Sequence, residues 1–499
     1  MYTKKLTAAV LMALLASTVL FAGPKKETGP KEAAEMRYGL TSEPATLDPL
    51  SPSNTADGRS ILFNVFEGLV KPDTDGNLQP AIAESWTIEQ NGLVYNFTLR
   101  QGVLFHDGSA VTVEDVEFTL NKAIENKYVG FTQIEKVETT GGRNIKITLK
   151  APDPEFLPFL TQGIVPAHNE DREKNPVGSG PFMIESYTTQ QSLVLVKNPR
   201  YWKQGFPKLD KVTVVFVADT DALLLNLQGG NIDSATLTGS QLEQLDPGRF
   251  DIVQGNSNSV QILALNNAVK PLDDIRVRQA VNYAIDVPEI IGTAFYGKGE
   301  PSGSPLIPGL TKYYNKALAN PYPADADRAK RLLAEAGYPS GFNLEITVPS
   351  NYTMHIDTAQ VAVNQLAKVG INATIKLVDW ATWYSDAYRG RKFEATIISF
   401  DAANVSPRTF LSRYRSDGSS NLINFKNADY DRAFDGALLE VDEGRRAALY
   451  QEAQKIISDN AASVFIQDIQ SFRAFPKGRY SGVVQYPLYV LDFSTIQRK

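Results

Sequence analysis

The side chains this chain lacks limit its chemistry first. It has 499 residues, no cysteine and three histidines, His106, His168 and His355. Disulfides, thiolate metal sites and a cysteine nucleophile are impossible, and no metal site is expected from so few histidines. No EF-hand-like loop gathers carboxylates for calcium. G-x-S-x-G and H-E-x-x-H are absent, so no catalytic residue is assigned, and a carboxylate-pair hydrolase stands as the enzymatic alternative. The glycines of Pro176-Val177-Gly178-Ser179-Gly180-Pro181-Phe182 suggest a phosphate loop, but no Lys-Ser or Lys-Thr follows them. His106-Asp107-Gly108-Ser109 has the composition of a turn: Asp bonds its own backbone and Gly tolerates positive φ. What remains is the chemistry of recognition. Trp380 and Trp383 offer faces for an apolar side chain or a sugar ring, with core packing as the alternative. Arg408, Arg413 and Arg415 form a basic run suited to an anionic group or to a solvated face.

The elements that would position these residues are legible in part. Val94–Leu99 alternates as a half-buried strand. Thr112 is placed to cap a helix, with Asp115 in its first turn and Val111 stapled on Val116. Ile61 to Leu69 has helical spacing, and Trp86 is expected in a core. Residues 134–149 suggest a strand pair, Leu209 to Val217 a buried strand, and Ala222 to Leu227 a helix. A helix begins at Ile275, with Ile275, Ala280, Tyr283 and Ala284 inward and Arg276 and Arg278 outward. Leu344–Val348, a helix from Ala359 to Lys368 and Ile371–Val378 form a β-helix-β unit, which implies parallel strands and an α/β fold. Helices cover Ala324 to Ala336, ending at Gly337, and twice the stretch from Tyr430 to Ile457. The tail from Val464 is expected to supply short strands.

Length suggests two or three domains. Hydrophobic residues at 43% and charged residues at 21% are globular values. Lys4 and Lys5 precede the apolar run that ends at Ala22, the pattern of a secretory signal peptide over residues 1–22. The polar residues 23–35 follow as a flexible linker. The formal charge is −6 and becomes −8 without the two leader lysines, which argues against a nucleic-acid partner.

A long ungapped stretch, VYNFTLRQGVLFHDGSAVTVEDVEFTL from Val94 to Leu120, resembles the signature of the family 5 extracellular solute-binding proteins, the receptors of bacterial ABC importers. Glu43-Pro44-Ala45-Thr46-Leu47-Asp48-Pro49, Phe66-Glu67-Gly68-Leu69, Lys197-Asn198-Pro199 with Tyr201-Trp202, and the run from Pro271 to Asp286 are further landmarks. The resemblance covers about residues 36–499. It implies a two-lobed periplasmic-binding-protein fold of type II with an extra domain and a hinge between lobes. Lobe I would be 36–60, 177–265 and 472–499, the inserted domain 61–176, and lobe II 266–471. It also implies an exported, monomeric protein of the periplasm or the outer face of the inner membrane. Such a protein needs no cofactor and hands a di- or oligopeptide to an ABC permease; an oligosaccharide or a nickel chelate is the alternative cargo. Pro24 stands where tethered relatives carry a lipobox cysteine, which favours a soluble product.

The resemblance implies a site as well. In peptide-binding members a strand and the loop after it lie along the ligand, and an aspartate meets the ligand's amino group. That maps onto Thr396 to Pro407, with Ser399, Phe400, Asp401 and Asn404 as ligand-binding residues and Asp401 as the amino anchor. Asp401 lies six residues before Pro407, where the family usually has four. Trp380 and Trp383 match a segment that brings an aromatic to the cleft. His355 falls near a position that meets a ligand's carboxylate end, and Tyr128 sits where the inserted domain approaches the cleft.

Overall fold

The computed structural model describes residues 33–401 and 404–499. The expected signal peptide and most of the linker lie outside the described residues.

The strand Val94–Leu99 buries Tyr95, Phe97 and Leu99 as its alternation requires. The Thr112 hydroxyl accepts from the Asp115 amide, and an Asp115 carboxylate oxygen accepts from the Thr112 amide at 2.9 Å. That reciprocal cap starts the helix Val113–Glu125, which buries Val116, Leu120 and Ala123. These elements belong to a four-stranded antiparallel sheet in the order Ala83–Glu89, Val94–Leu99, Asn144–Leu149, Ile134–Gly141. Its core is aromatic, around Tyr95, Phe97, Phe105 and Phe156. Trp86 is half-buried and packs on Phe97.

A second, much larger sheet organises the rest. Two long strands, Phe250–Leu265 and Ser463–Pro476, run antiparallel through its middle and serve both of its halves. On one side Ser463–Pro476 pairs Ser234–Leu237, followed by Glu35–Leu40, Lys211–Phe216, Ser192–Lys197 and Phe182–Thr188. On the other side Phe250–Leu265 pairs Ala395–Asp401, followed by Phe342–Pro349 and Ile371–Val378. The last two are parallel and joined by the helix Thr353–Ala367, as the β-helix-β reading requires. Between the halves the register slips: Asn256 faces Gln470 but Val260 faces Asp468. The first long strand therefore bulges at 257–259, where Asn258 takes a left-handed conformation at φ 57°. Beyond the bulge, alternate residues feed two cores. Val260, Ile262 and Ala264 enter one, with Tyr430, Phe434 and Tyr450; Leu263 and Leu265 enter the other, with Val277, Leu333 and Leu366.

Several expectations are corrected. The helix near Ile61 is Ala56–Leu62 and does not reach Leu69. The carbonyls of Asn64 and Val65 instead accept from Phe182 and Gly180, which pulls the chain out of helical geometry. In the helix Ile275–Ala284, Arg278 is only 6% exposed while Ile275 is 38% exposed. The Arg278 guanidinium donates to the carbonyls of Leu272, Asp273 and Asn460, so its burial leaves few donors unsatisfied. The tail from Val464 opens with one strand of 14 residues, Ser463–Pro476, and the expected short strands follow only later, as the pair Tyr480–Ser481 and Gln497–Arg498. Two landmarks prove to be mutual scaffold: buried Glu67 accepts from the Tyr201 hydroxyl at 2.5 Å and the Trp202 indole at 2.6 Å. His106 and Asp107 are turn residues. The His106 ring bonds Gly178 N–H and Gly180 C=O, and Asp107 accepts from Ser109.

Candidate functional site

The strand Ala395–Asp401 pairs Phe250–Leu265 on one edge, placing Ser399 opposite Gln261 and Asp401 opposite Ser259. On its other edge the ladder to Phe342–Pro349 covers only Ala395 and Thr396. From Ile397 onward no described strand pairs that edge. A cavity of about 500 Å³ opens there, beside the bulge between the two halves of the sheet.

Successive side chains of this strand take opposite faces. Phe400 shares its face with Arg413, whose guanidinium lies 4.4 Å from the Phe400 ring centre. Arg413 Nη1 donates to the Tyr388 hydroxyl at 3.2 Å, and its buried Nε has no partner. Ser399 and Asp401 lie on the other face; the Ser399 hydroxyl is buried without a partner and Asp401 is exposed. No cation pairs with Asp401, and no carboxylate with Arg413, among the described residues. The other two arginines of the basic run are committed: Arg408 to Asp153 at 2.6 Å, and Arg415 to Asp435 at 2.9 Å.

His355 borders the cavity from the first turn of its helix and is buried. Its Nδ1 accepts from the Gln261 amide at 3.0 Å, and Gln261 in turn accepts from Gln467 at 2.9 Å. Burial pulls the imidazole down to about 4, so the ring is neutral at physiological pH with its proton on Nε2. A neutral donor, not a cation, is what His355 can offer a ligand.

The third wall is aromatic. Asp379 caps the turn Trp380–Thr382 through the Thr382 amide and hydroxyl, and those hydrogen bonds hold its carboxyl below the usual range. The chain continues as a π-helical turn over Trp383–Arg389. The wider turn brings residues five apart together, and Trp383 stacks on Tyr388 at 6.0 Å. Trp380 stacks on Trp383 at 5.2 Å and 16°, and Tyr384 on Tyr388 at 5.5 Å and 21°. Trp383 is 2% exposed, and its indole donates to the Thr396 hydroxyl, so it is a core residue behind the wall. Trp380, 43% exposed, presents the surface.

Six of the eight expected site residues thus meet at one cavity: Asp401, Phe400, Ser399, Trp380, Trp383 and His355. The other two do not border it. Asn404 is buried, and its side chain closes a turn by accepting from the Ser406 amide. Tyr128 packs on Phe131 in the core of the four-stranded sheet, where burial and nearby Asp48 push its hydroxyl up to about 12. Tyr352, Tyr384, Tyr388 and Ser259 were not singled out in the sequence. The tyrosines at 384 and 388 were findable as an aromatic spacing after Trp380, but only the π turn makes that spacing one surface. No group of histidine and acidic side chains able to hold a metal occurs among the described residues.

The family model for bacterial extracellular solute-binding proteins, family 5 Middle, matches residues 77–421. Heme-binding protein A of Haemophilus influenzae is 28% identical, over 97% of this chain and 96% of its own. Glutathione-binding protein GsiB of Salmonella typhi is 29% identical, over 85% and 87%. Among solved structures, the ABC transporter-associated periplasmic binding protein DppA from Helicobacter pylori, in complex with peptide STSA, is similar at a TM-score of 0.75. It is 26% identical, over 93% of this chain and 98% of its own.

Proposed function

The chain belongs to the family 5 bacterial extracellular solute-binding proteins, and from that premise we propose that the solute it takes is a short peptide held by both ends. As a member of the family it is a two-lobed α/β receptor that delivers its ligand to an ABC transporter. The observation that carries the peptide reading is one cavity bordered by an unpaired carboxylate, an unpaired guanidinium and an unpaired strand edge. Asp401 suits an ammonium group and Arg413 a carboxylate, and an extended peptide can add to the edge at 397–401 as a strand. Two relatives named above bind glutathione and the peptide STSA, which supports the same class.

The bulge at 257–259 is the turning point about which the lobes close, since the strands that cross it serve both halves. The protein acts as an exported monomer without catalysis; among the described residues no helix is long and apolar enough to cross a membrane. Native mass spectrometry of the protein as purified tests the cargo. A distribution of masses matching peptides of a few residues is expected. A single oligosaccharide or a chelated metal as the sole bound mass contradicts the peptide reading.

A further inference from the structure

Within that peptide reading, we propose that the aromatic wall makes the site selective for a ligand residue bearing a flat ring, seated against Trp380 and Tyr384. Four aromatic side chains make the wall, and they divide into two pairs by role. Trp383 and Tyr388 hold the inner position: Trp383 is buried and bonded to Thr396, and Tyr388 accepts from Arg413. Trp380 and Tyr384 are stacked on that inner pair, yet remain 43% and 45% exposed. Both border the cavity.

Their geometry is fixed before any ligand arrives. Asp379 caps the turn that carries Trp380, the π turn sets Tyr384 one residue after Trp383, and Tyr352 abuts the Trp380 ring edge-on at 5.6 Å. A preorganised ring surface loses little side-chain freedom on binding, which favours a partner that can stack over one that only fills space. Among the described residues no lysine or arginine covers the Trp380 or Tyr384 ring, whereas Phe400 is already covered by Arg413.

The strand geometry sharpens the expectation. A peptide added along the edge at 397–401 alternates its side chains between the two faces. One of those faces carries Phe400, Arg413 and the aromatic wall; the other carries Ser399, Asp401 and His355. Neighbouring ligand positions therefore cannot both turn their side chains to the wall, and in a tripeptide the ring preference falls on the middle residue or on the outer residues, never on adjacent ones.

The test uses the mature full-length chain and six tripeptides, with Phe or Leu at each position of an otherwise all-alanine sequence. Phe and Leu are both apolar and uncharged, so their difference, read together with its loss in Trp380→Leu, reports on the ring. By calorimetry, Phe is expected to bind about three- to tenfold tighter than Leu at the middle position or at the outer ones, and equally at the positions that face away from the wall. Trp380→Leu is expected to erase that preference by weakening the Phe peptides more than the Leu peptides; Tyr384→Leu, at a second exposed position, reduces it. Equal Phe and Leu affinities at every position, or a preference that survives Trp380→Leu, overturn the ring selectivity while the peptide reading stands. If none of the six binds, the peptide reading itself fails and the ring selectivity falls with it.

Discussion

Two regions of this molecule bring an acidic and a basic side chain to one place, and they finish the task differently. One is the seam where Asp153 and Glu155, which follow the four-stranded sheet, meet residues 406–450. There Arg408 reaches Asp153, and buried Glu155 accepts from the Ser406 hydroxyl at 2.9 Å and the Tyr450 hydroxyl at 2.5 Å. Arg446 lies 3.7 Å from the same carboxylate. The other region is the cavity, where Asp401 and Arg413 share a space and neither is paired with an opposite charge among the described residues. A pair completed inside the chain holds the chain together; a pair left open is available to something that is not the chain. Both regions are rich in arginine and aromatics, so composition does not separate them, whereas the state of their partners does.

The largest effect is expected at the seam. Glu155→Ala leaves Arg446 and Tyr450 buried without their carboxylate, an expected loss of about 3–5 kcal/mol in equilibrium urea unfolding. Burial raises the Glu155 carboxyl despite the opposing hydrogen bonds from Tyr450 and Ser406. The folded state then binds a proton more readily than the unfolded state. Stability contributed by this group therefore falls as pH rises through its folded pKa, and wild type should gain on Glu155→Gln as pH is lowered from neutral toward 4.5. Unchanged unfolding in Glu155→Ala would remove the seam from the structural side of the comparison.

A smaller effect is expected at His355, which borders the cavity but has committed its Nδ1 to Gln261. Its pKa is depressed from 6.5 to about 4 by burial, so the unfolded state binds the extra proton in that window. The stability tied to a neutral His355 is complete above pH 6.5 and is lost as pH falls toward 4. At about 1.4 kcal/mol per pKa unit, it amounts to roughly 3 kcal/mol at most. His355→Gln should flatten the acid limb of a stability-against-pH curve, and peptide affinity should stay level between pH 8 and 6.5. An affinity that rises through pH 6.5 as the imidazole protonates would make His355 a cationic anchor instead.

The sequence predicts well where local rules decide. The Thr112 cap, the strand Val94–Leu99 and the parallel pair flanking Thr353–Ala367 follow from side-chain spacing, and the structure agrees with each. It predicts poorly where the chain serves two masters. Gln254-Gly255-Asn256 and the residues up to Ser259 are polar and carry no apolar alternation, yet they lie inside a 16-residue strand. Their polarity belongs to the bulge, where the strand leaves one core for the other. Arg278 is charged, and only the three carbonyls it meets explain its burial. Resemblance brought Asp401, Trp380 and His355 to notice, but the three arginines 408, 413 and 415 are equivalent as a run of letters. Their partners, Asp153 and Asp435, come from elsewhere in the chain, and only the fold shows that Arg413 is the one that meets no acid among the described residues.

The central claim is that Asp401 and Arg413 are reserved for the two ends of a peptide. It is tested most directly by one calorimetric cycle: a tripeptide, its N-acetyl form and its C-terminal amide, each titrated into wild type, Asp401→Asn and Arg413→Met. Exposed Asp401 should tolerate the change to Asn within about 0.5 kcal/mol of unfolding free energy, so affinity reports on contact rather than folding. Acetylation should weaken binding to wild type about 10- to 100-fold but leave Asp401→Asn indifferent, and amidation should do the same for Arg413→Met. Acetylation and amidation that cost every variant as much as wild type would mean that neither side chain meets a ligand end.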